Sequence, residues 1–185
     1  MNRTITENLF GTHFFSKYYL TILGVILLTV SSKIAIPFYP VPMTLQTLVV
    51  FFIAASMGMI GFYSTLIYVV LGILGLPLFA NGGGIGYIFS PTFGFLYGMV
   101  ISAFLIAYIL KSELNTSLIK LSLTILAGAL VIFLCGISHL SFFVGLEQAI
   151  NLGLLPFLYS EFLKIILAIA IIFGLIQRVN KKNHK

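Results

Sequence analysis

The segment Leu45-Gln-Thr-Leu-Val-Val-Phe-Phe-Ile-Ala-Ala-Ser-Met-Gly-Met-Ile-Gly-Phe-Tyr-Ser-Thr-Leu-Ile-Tyr-Val-Val-Leu-Gly-Ile-Leu-Gly-Leu76 reads as two apolar runs parted only by Gly58 and Gly61. As one helix it would reach about 48 Å at a rise of about 1.5 Å per residue, well beyond the ~30 Å hydrocarbon core of a bilayer. The two runs, about Leu45–Ile60 and Phe62–Leu76, therefore form a tight hairpin. Working outward, four further apolar runs cover about Tyr18–Ile36, Thr92–Leu110, Leu118–Ile137 and Leu154–Ile176. The fold class that follows is an all-α integral membrane protein with six transmembrane helices.

Composition agrees. Hydrophobic residues make up 60% of the 185-residue chain, charged residues only 8%, and mean hydropathy is +1.16. A soluble domain carries roughly a quarter charged residues. The expected organisation is one membrane domain: a cytoplasmic N-terminal segment 1–17, a bundle over 18–176 and a basic cytoplasmic tail 177–185. Residues 1–19 lack the pattern of a cleaved signal peptide. Cys135, alone in an apolar run, permits neither a disulfide framework nor a cysteine-based metal site.

Lysine and arginine set the orientation. An even number of crossings leaves both termini on one side, with Arg3, Lys17, Arg178, Lys181, Lys182 and Lys185 there, and with Lys111 and Lys120 of the fourth-to-fifth loop. The positive-inside rule makes that side the cytoplasm, N-in and C-in. The net charge of +6 is thus a matter of topology and not of nucleic-acid binding. Three connections then face outward: Pro37–Gln46, the long Gly/Pro-punctuated loop within Gly72–Gly94, and Gly136–Pro156. Structureless loops of that length inside a compact domain are usually functional.

The polar residues narrow the chemistry. Glu161 and Lys164 stand one helical turn apart in acid-before-base order. An ionised side chain at a helix centre costs about 2.5–3.5 kcal/mol on the insertion scale, so such residues face a cavity and a partner. A mutual salt bridge that only stabilises packing is the alternative, and the ligand reading is preferred. Pro37, Pro40 and Pro42 favour a stiff extended segment that carries Phe38 and Tyr39 as an apolar lid. Thr44 is a candidate N-cap, and Gln46 either lines a pocket or bonds a neighbouring helix. Asn81 and Tyr87 flank the glycine cluster, as turn and interfacial residues or as ligand contacts. The run Gly82–Gly86 lacks the GxxxxGK[ST] pattern, so phosphate binding there is rejected. Ser141–Leu152 reads as a short amphipathic helix, with His139 and Glu147 at a surface or interface, and Lys33 reads as a snorkelling residue. No metal, cofactor or nucleophile-and-base pattern is present. A membrane enzyme would need Glu161, His139 and Lys164 to converge, and a bare scaffold would leave the glycine loop and the charged pair without a reason.

Ile36-Pro-Phe-Tyr-Pro-Val-Pro-Met-Thr-Leu-Gln46, Gly72–Gly94 and Gly153-Leu-Leu-Pro-Phe-Leu-Tyr-Ser-Glu-Phe-Leu-Lys164 together resemble the BioY family, the biotin-binding S components of energy-coupling factor (ECF) transporters. The resemblance runs from the first apolar segment to the last. It implies a six-helix subunit of the bacterial cytoplasmic membrane with an outward-facing pocket, partnered by a coupling transmembrane subunit and two cytoplasmic ATPases. It also implies biotin as ligand, bound through Gln46, Asn81, Tyr87, Glu161 and Lys164. Glu161 would accept from the ureido N–H groups, and Asn81 or Gln46 would donate to the ureido oxygen. Phe38, Phe79 and Tyr87 would pack the ring and chain, and Lys164 would pair with Glu161 or with the carboxylate. The family usually has Asp where this chain has Glu161. Small residues at four-residue spacing on the first helix are approximated here by Ser31 and Ala35. Another small water-soluble vitamin, or biotin transport without partners, is the alternative.

Overall fold

The computed structural model describes residues 14–111 and 116–183. Among the described residues seven helices follow in order: α1 Phe14–Lys33, α2 Gln46–Met57, α3 Met59–Ile73, α4 Phe93–Leu110, α5 Leu118–Val144, α6 Leu146–Gly153 and α7 Leu155–Asn183. A short antiparallel ribbon, β1 Ala35–Ile36 with β2 Met43–Thr44, joins α1 to α2. A 3₁₀ turn, Ile85–Phe89, lies in the long loop before α4. Three helices, α4, α5 and α7, are long and apolar enough to cross a membrane, and α2 and α3 are shorter apolar helices. Of the basic residues that set the expected orientation, Arg3 and Lys185 lie outside the described residues.

The hairpin expected from the opening segment is present, with its pivot at Gly58. That residue has φ 59° and ψ −130°, a backbone conformation reserved to glycine. Gly61 serves a different purpose: a Cβ there would stand 2.2 Å from the Ile53 carbonyl oxygen, so its absence lets α3 lie close on α2. Helix α2 is the centre of the bundle. It packs against α1, α3, α4 and α7, and Val50, Phe51, Ile53 and Ala54 are fully buried. Because α2 is apolar around its whole circumference, any polar side chain on it faces another helix or a cavity, not solvent.

Several expected boundaries move. The first helix ends at Lys33, and Ala35–Ile36 pairs as a strand. The fifth helix continues past Ile137 to Val144, because Gly136 is buried within it and the break falls at Gly145, φ 80°. The amphipathic helix is therefore Leu146–Gly153, and His139 sits on α5, not in a connection. The last helix runs on to Asn183; Pro156 is accommodated in its first turn, where no backbone N–H is needed.

Candidate functional site

Helices α2, α4, α5 and α7 converge beneath the ribbon and the glycine-rich loop on a cavity of about 60 Å³. That is room for a few water-sized bodies. Its polar wall is Gln46 and Thr47 on α2 with Glu161 and Lys164 on α7; its apolar wall includes Phe79, Tyr87, Phe95, Met99 and Phe157.

The charged pair is buried, with Glu161 4% and Lys164 9% exposed. Lys164 Nζ donates to Glu161 Oε2 at 3.0 Å and to Thr47 Oγ1 at 3.3 Å, and Thr47 Oγ1 donates to the same Glu161 Oε2 at 3.0 Å. One carboxylate oxygen thus collects two donors. The other, Oε1, is buried without a hydrogen-bond partner among the described residues. An unmet acceptor of this kind costs about 1–3 kcal/mol, more when charged. A neutral N–H donor in the cavity would relieve that cost.

A second network fixes the opposite wall. Gln46 Nε2 donates to the Tyr68 hydroxyl at 2.9 Å, and that hydroxyl donates to the Leu78 carbonyl at 3.1 Å. Ser32 Oγ donates to the same carbonyl at 2.6 Å, and Lys33 Nζ donates to the Phe79 carbonyl at 2.5 Å. The end of α1 and the middle of α3 therefore clamp the loop at Leu78–Phe79. Lys33, read as a snorkelling residue, is exposed, and its ammonium has a definite partner in this loop carbonyl. Phe79, 1% exposed, is wedged edge-on against Tyr68 and 4.7 Å from the Tyr87 ring. Gly72 makes room for it, since a Cβ there would lie 2.2 Å from the Phe79 ring.

The residues singled out from the sequence divide. Gln46, Phe79, Tyr87, Glu161 and Lys164 line the one cavity. Asn81 lies exposed on the loop outside it. Phe38 is half exposed, 6.3 Å from the Phe157 ring, and Tyr39 is 92% exposed at the ribbon's tip. Thr44 accepts the Gln46 backbone N–H at 3.4 Å and donates to Gln46 Oε1 at 3.2 Å, orienting that amide. His139 Nε2 lies 3.1 Å from the Ser90 carbonyl among Phe93, Tyr97 and Phe143, away from Glu161 and Lys164. Thr47 and Tyr68 escaped the sequence reading. The signal for Thr47 is a second polar residue directly after Gln46 on an otherwise apolar helix.

The profile of the BioY family matches residues 4–181. The chain is 38% identical over 154 residues to the "Probable biotin transporter BioY" of Pyrococcus horikoshii, covering 82% of this chain and 91% of that one. It is 37% identical over 145 residues to the "Biotin transporter BioY" of Thermotoga maritima, covering 77% and 85%. The crystal structure of the S component for biotin from an ECF-type ABC transporter superposes with a TM-score of 0.77 at 22% identity, covering 88% of this chain and 91% of that one. That likeness is one of fold; together with a profile match over nearly the whole length, it means that the chain belongs to the BioY family.

Proposed function

We propose that this chain is a biotin-capturing S component that takes its ligand from outside the cell and delivers it through an ECF-type transporter. The observation that carries the reading is the Glu161–Lys164–Thr47 cluster, in which one oxygen of a cavity-lining carboxylate is buried and unbonded among the described residues, beneath a glycine-bounded loop. Biotin supplies what that oxygen lacks: a ureido head with two N–H donors. The thiophane ring and chain fit the aromatic wall of Phe79, Tyr87, Phe95 and Phe157, and Gln46, held by Tyr68 and Thr44, is the candidate donor to the ureido oxygen. Asn81, Phe38 and Tyr39 act from the mouth when the loop and ribbon close on bound ligand. Lys164 remains with Glu161 as its counter-ion or turns to the carboxylate. The relatives' names, biotin transporters in both cases, support this choice of ligand.

Six helices cross the cytoplasmic membrane in this reading, α1 to α5 and α7, with α6 lying at the outer face and both termini inside. The eight residues of α6 are too few to cross, and the Lys/Arg distribution favours the orientation. The twelve residues of α2 cover only about 18 Å, so Gln46 and Thr47 would sit below the outer surface when Gly58 lies at the inner one. The structural neighbour, the S component for biotin from an ECF-type ABC transporter, supports coupling to a transporter of that type, and the family resemblance adds a transmembrane partner and two cytoplasmic ATPases. The chain itself has no nucleotide motif.

Equilibrium binding of labelled biotin to the purified protein, with unlabelled biotin, desthiobiotin and riboflavin as competitors, tests the reading. Saturable binding displaced by biotin and not by riboflavin is expected. Displacement by riboflavin, or no saturable binding, would overturn biotin as the ligand.

A further inference from the structure

A second concavity, roomier than the one just described, is found among the described residues. A groove of about 450 Å³ lies at the other end of the bundle, between the start of α1, the Gly58 turn and the end of α4. Helices α2 and α4 both begin at the first cavity and end at this groove, so the two are separated by the length of the helices. Its floor is apolar, with Met57 and Ala107 buried. Its rim carries two cations, Lys17 and Lys111, and no acidic side chain among the described residues. Neither lysine makes an ion pair or a side-chain hydrogen bond among the described residues, and both are exposed.

The groove is bordered by a row of aromatic rings that crosses from α3 to α4. Tyr63 stands 5.2 Å from Phe62, Phe62 meets Phe104 edge-on at 5.4 Å, and Phe104 stacks on Tyr108 at 5.9 Å. Tyrosines at such a level mark the boundary between hydrocarbon and headgroups. From this row an exposed apolar strip continues along the helices, Ile67 and Val70 on α3 and Ile101 and Phe104 on α4. Spacings of three and four residues keep each set on one face. Two ammonium groups and two phenol hydroxyls at one end of a lipid-facing apolar strip match a particular shape: a monoanionic phosphate with an acyl chain below it.

We propose that this groove binds one anionic phospholipid, its phosphate between Lys17 and Lys111 and one chain along the α3–α4 strip. The apolar strip favours lipid over a soluble phosphate compound, which has nothing to lay on it. The site lies on the turn between the two short helices that carry Gln46, Thr47 and Tyr68. Occupancy would brace the pivot on which the ligand wall rests.

The test is native mass spectrometry of the full chain in detergent, titrated with dioleoylphosphatidylglycerol, dioleoylphosphatidylcholine or glycerophosphate. Phosphatidylglycerol is expected to be retained as a single adduct, preferred over phosphatidylcholine, with no competition from glycerophosphate. A juxtamembrane lysine contributes about a factor of five toward anionic lipid, so Lys17→Gln/Lys111→Gln should weaken phosphatidylglycerol about twenty-five-fold and leave phosphatidylcholine unchanged. Lys17→Arg/Lys111→Arg should retain binding, which guards against loss through misfolding. Arg178→Ala/Lys181→Ala removes the same charge elsewhere and should change affinity less than about twofold. Equal losses from both neutralised pairs, equal affinity for the two lipids, or displacement by glycerophosphate would overturn the proposal. So would glutamine variants that lose only assembly with a partner protein and keep the lipid.

Discussion

The buried pair Glu161–Lys164 can be made to separate stability from recognition. Glu161→Gln leaves the buried Lys164 ammonium with neutral acceptors alone, Thr47 Oγ1 at 3.3 Å and the new amide oxygen; Lys164→Met leaves the carboxylate with Thr47 alone at 3.0 Å. Breaking a buried pair from one side costs about 3–5 kcal/mol, because the remaining charge is uncompensated. Each single variant should therefore unfold markedly earlier in a thermal scan in detergent. Replacing both partners removes both charges, and Glu161→Gln/Lys164→Met should return to within about 1 kcal/mol of the parent. Biotin affinity should not return with it. The double variant offers an amide where the ligand's N–H would meet a carboxylate, forfeiting a charge-assisted hydrogen bond of about 1.5–3 kcal/mol, a ten- to hundredfold loss in Kd. A double variant that is stable and binds biotin like the parent would refute the assignment of the ureido head to Glu161. One as unstable as the singles would refute the view that the pair is balanced internally.

The loop clamp should govern exchange, not contact. Lys33→Met leaves the Phe79 carbonyl with the Gly82 N–H alone and does not touch the cavity, so biotin should dissociate several-fold faster, and hydrogen exchange at the Gly82 and Gly84 amides should speed up with or without ligand. Gly72→Ala drives a methyl into the Phe79 ring and should weaken binding about tenfold or more by displacing that wall, read by the same binding assay. Gly58→Ala forces a side chain into a backbone conformation it rarely adopts and should cost about 1–3 kcal/mol, read as a lower thermal midpoint in detergent. Tyr68→Phe removes the hydroxyl that joins Gln46 to the Leu78 carbonyl, and it should combine with Lys33→Met non-additively in dissociation rate because both hold one loop.

What could be read from the sequence was whatever a membrane makes expensive. Glu161, Lys164 and Gln46 stand out because a polar group in an apolar helix needs a partner, and the structure brings all three to one cavity. Thr47 and Tyr68 do not stand out in the same way. Threonine is tolerated in such helices by bonding its own backbone, as Thr65 does to the Gly61 carbonyl, and tyrosine passes for an interfacial residue. Their roles depend on how α2 and α3 are rotated, and helices apolar on every side carry no stripe to disclose that. Helix ends suffered similarly. Gly58 and Gly61, or Gly136 and Gly145, look alike in sequence, yet one of each pair supplies a positive φ and the other a close helix contact or a buried interior position. The partner of Lys33 is not legible in the sequence, because it is a carbonyl forty-six residues away on a loop whose path nothing local dictates.

The two walls of the cavity are held by different means, and that difference says which one moves. Glu161 and Lys164 on α7 and Thr47 in the first turn of α2 are buried where these two helices pack against each other, so displacing them would expose charge and core together. Phe79 and Tyr87 belong to a loop held by hydrogen bonds to two carbonyls and by ring contacts, with Gly75, Gly82 and Gly84 at positive φ along it. A hydrogen bond is worth about 0.5–1.5 kcal/mol net, so releasing the three at Leu78 and Phe79 costs a few kcal/mol, within reach of thermal opening on a microsecond-to-second scale. A cavity of about 60 Å³ cannot admit a bicyclic ligand until that happens. Under the proposed function, the charged floor would therefore provide recognition in a fixed geometry, and the glycine-jointed roof would provide access. A ligand that satisfies Glu161 Oε1 while packing Phe79 back into place would stabilise both at once.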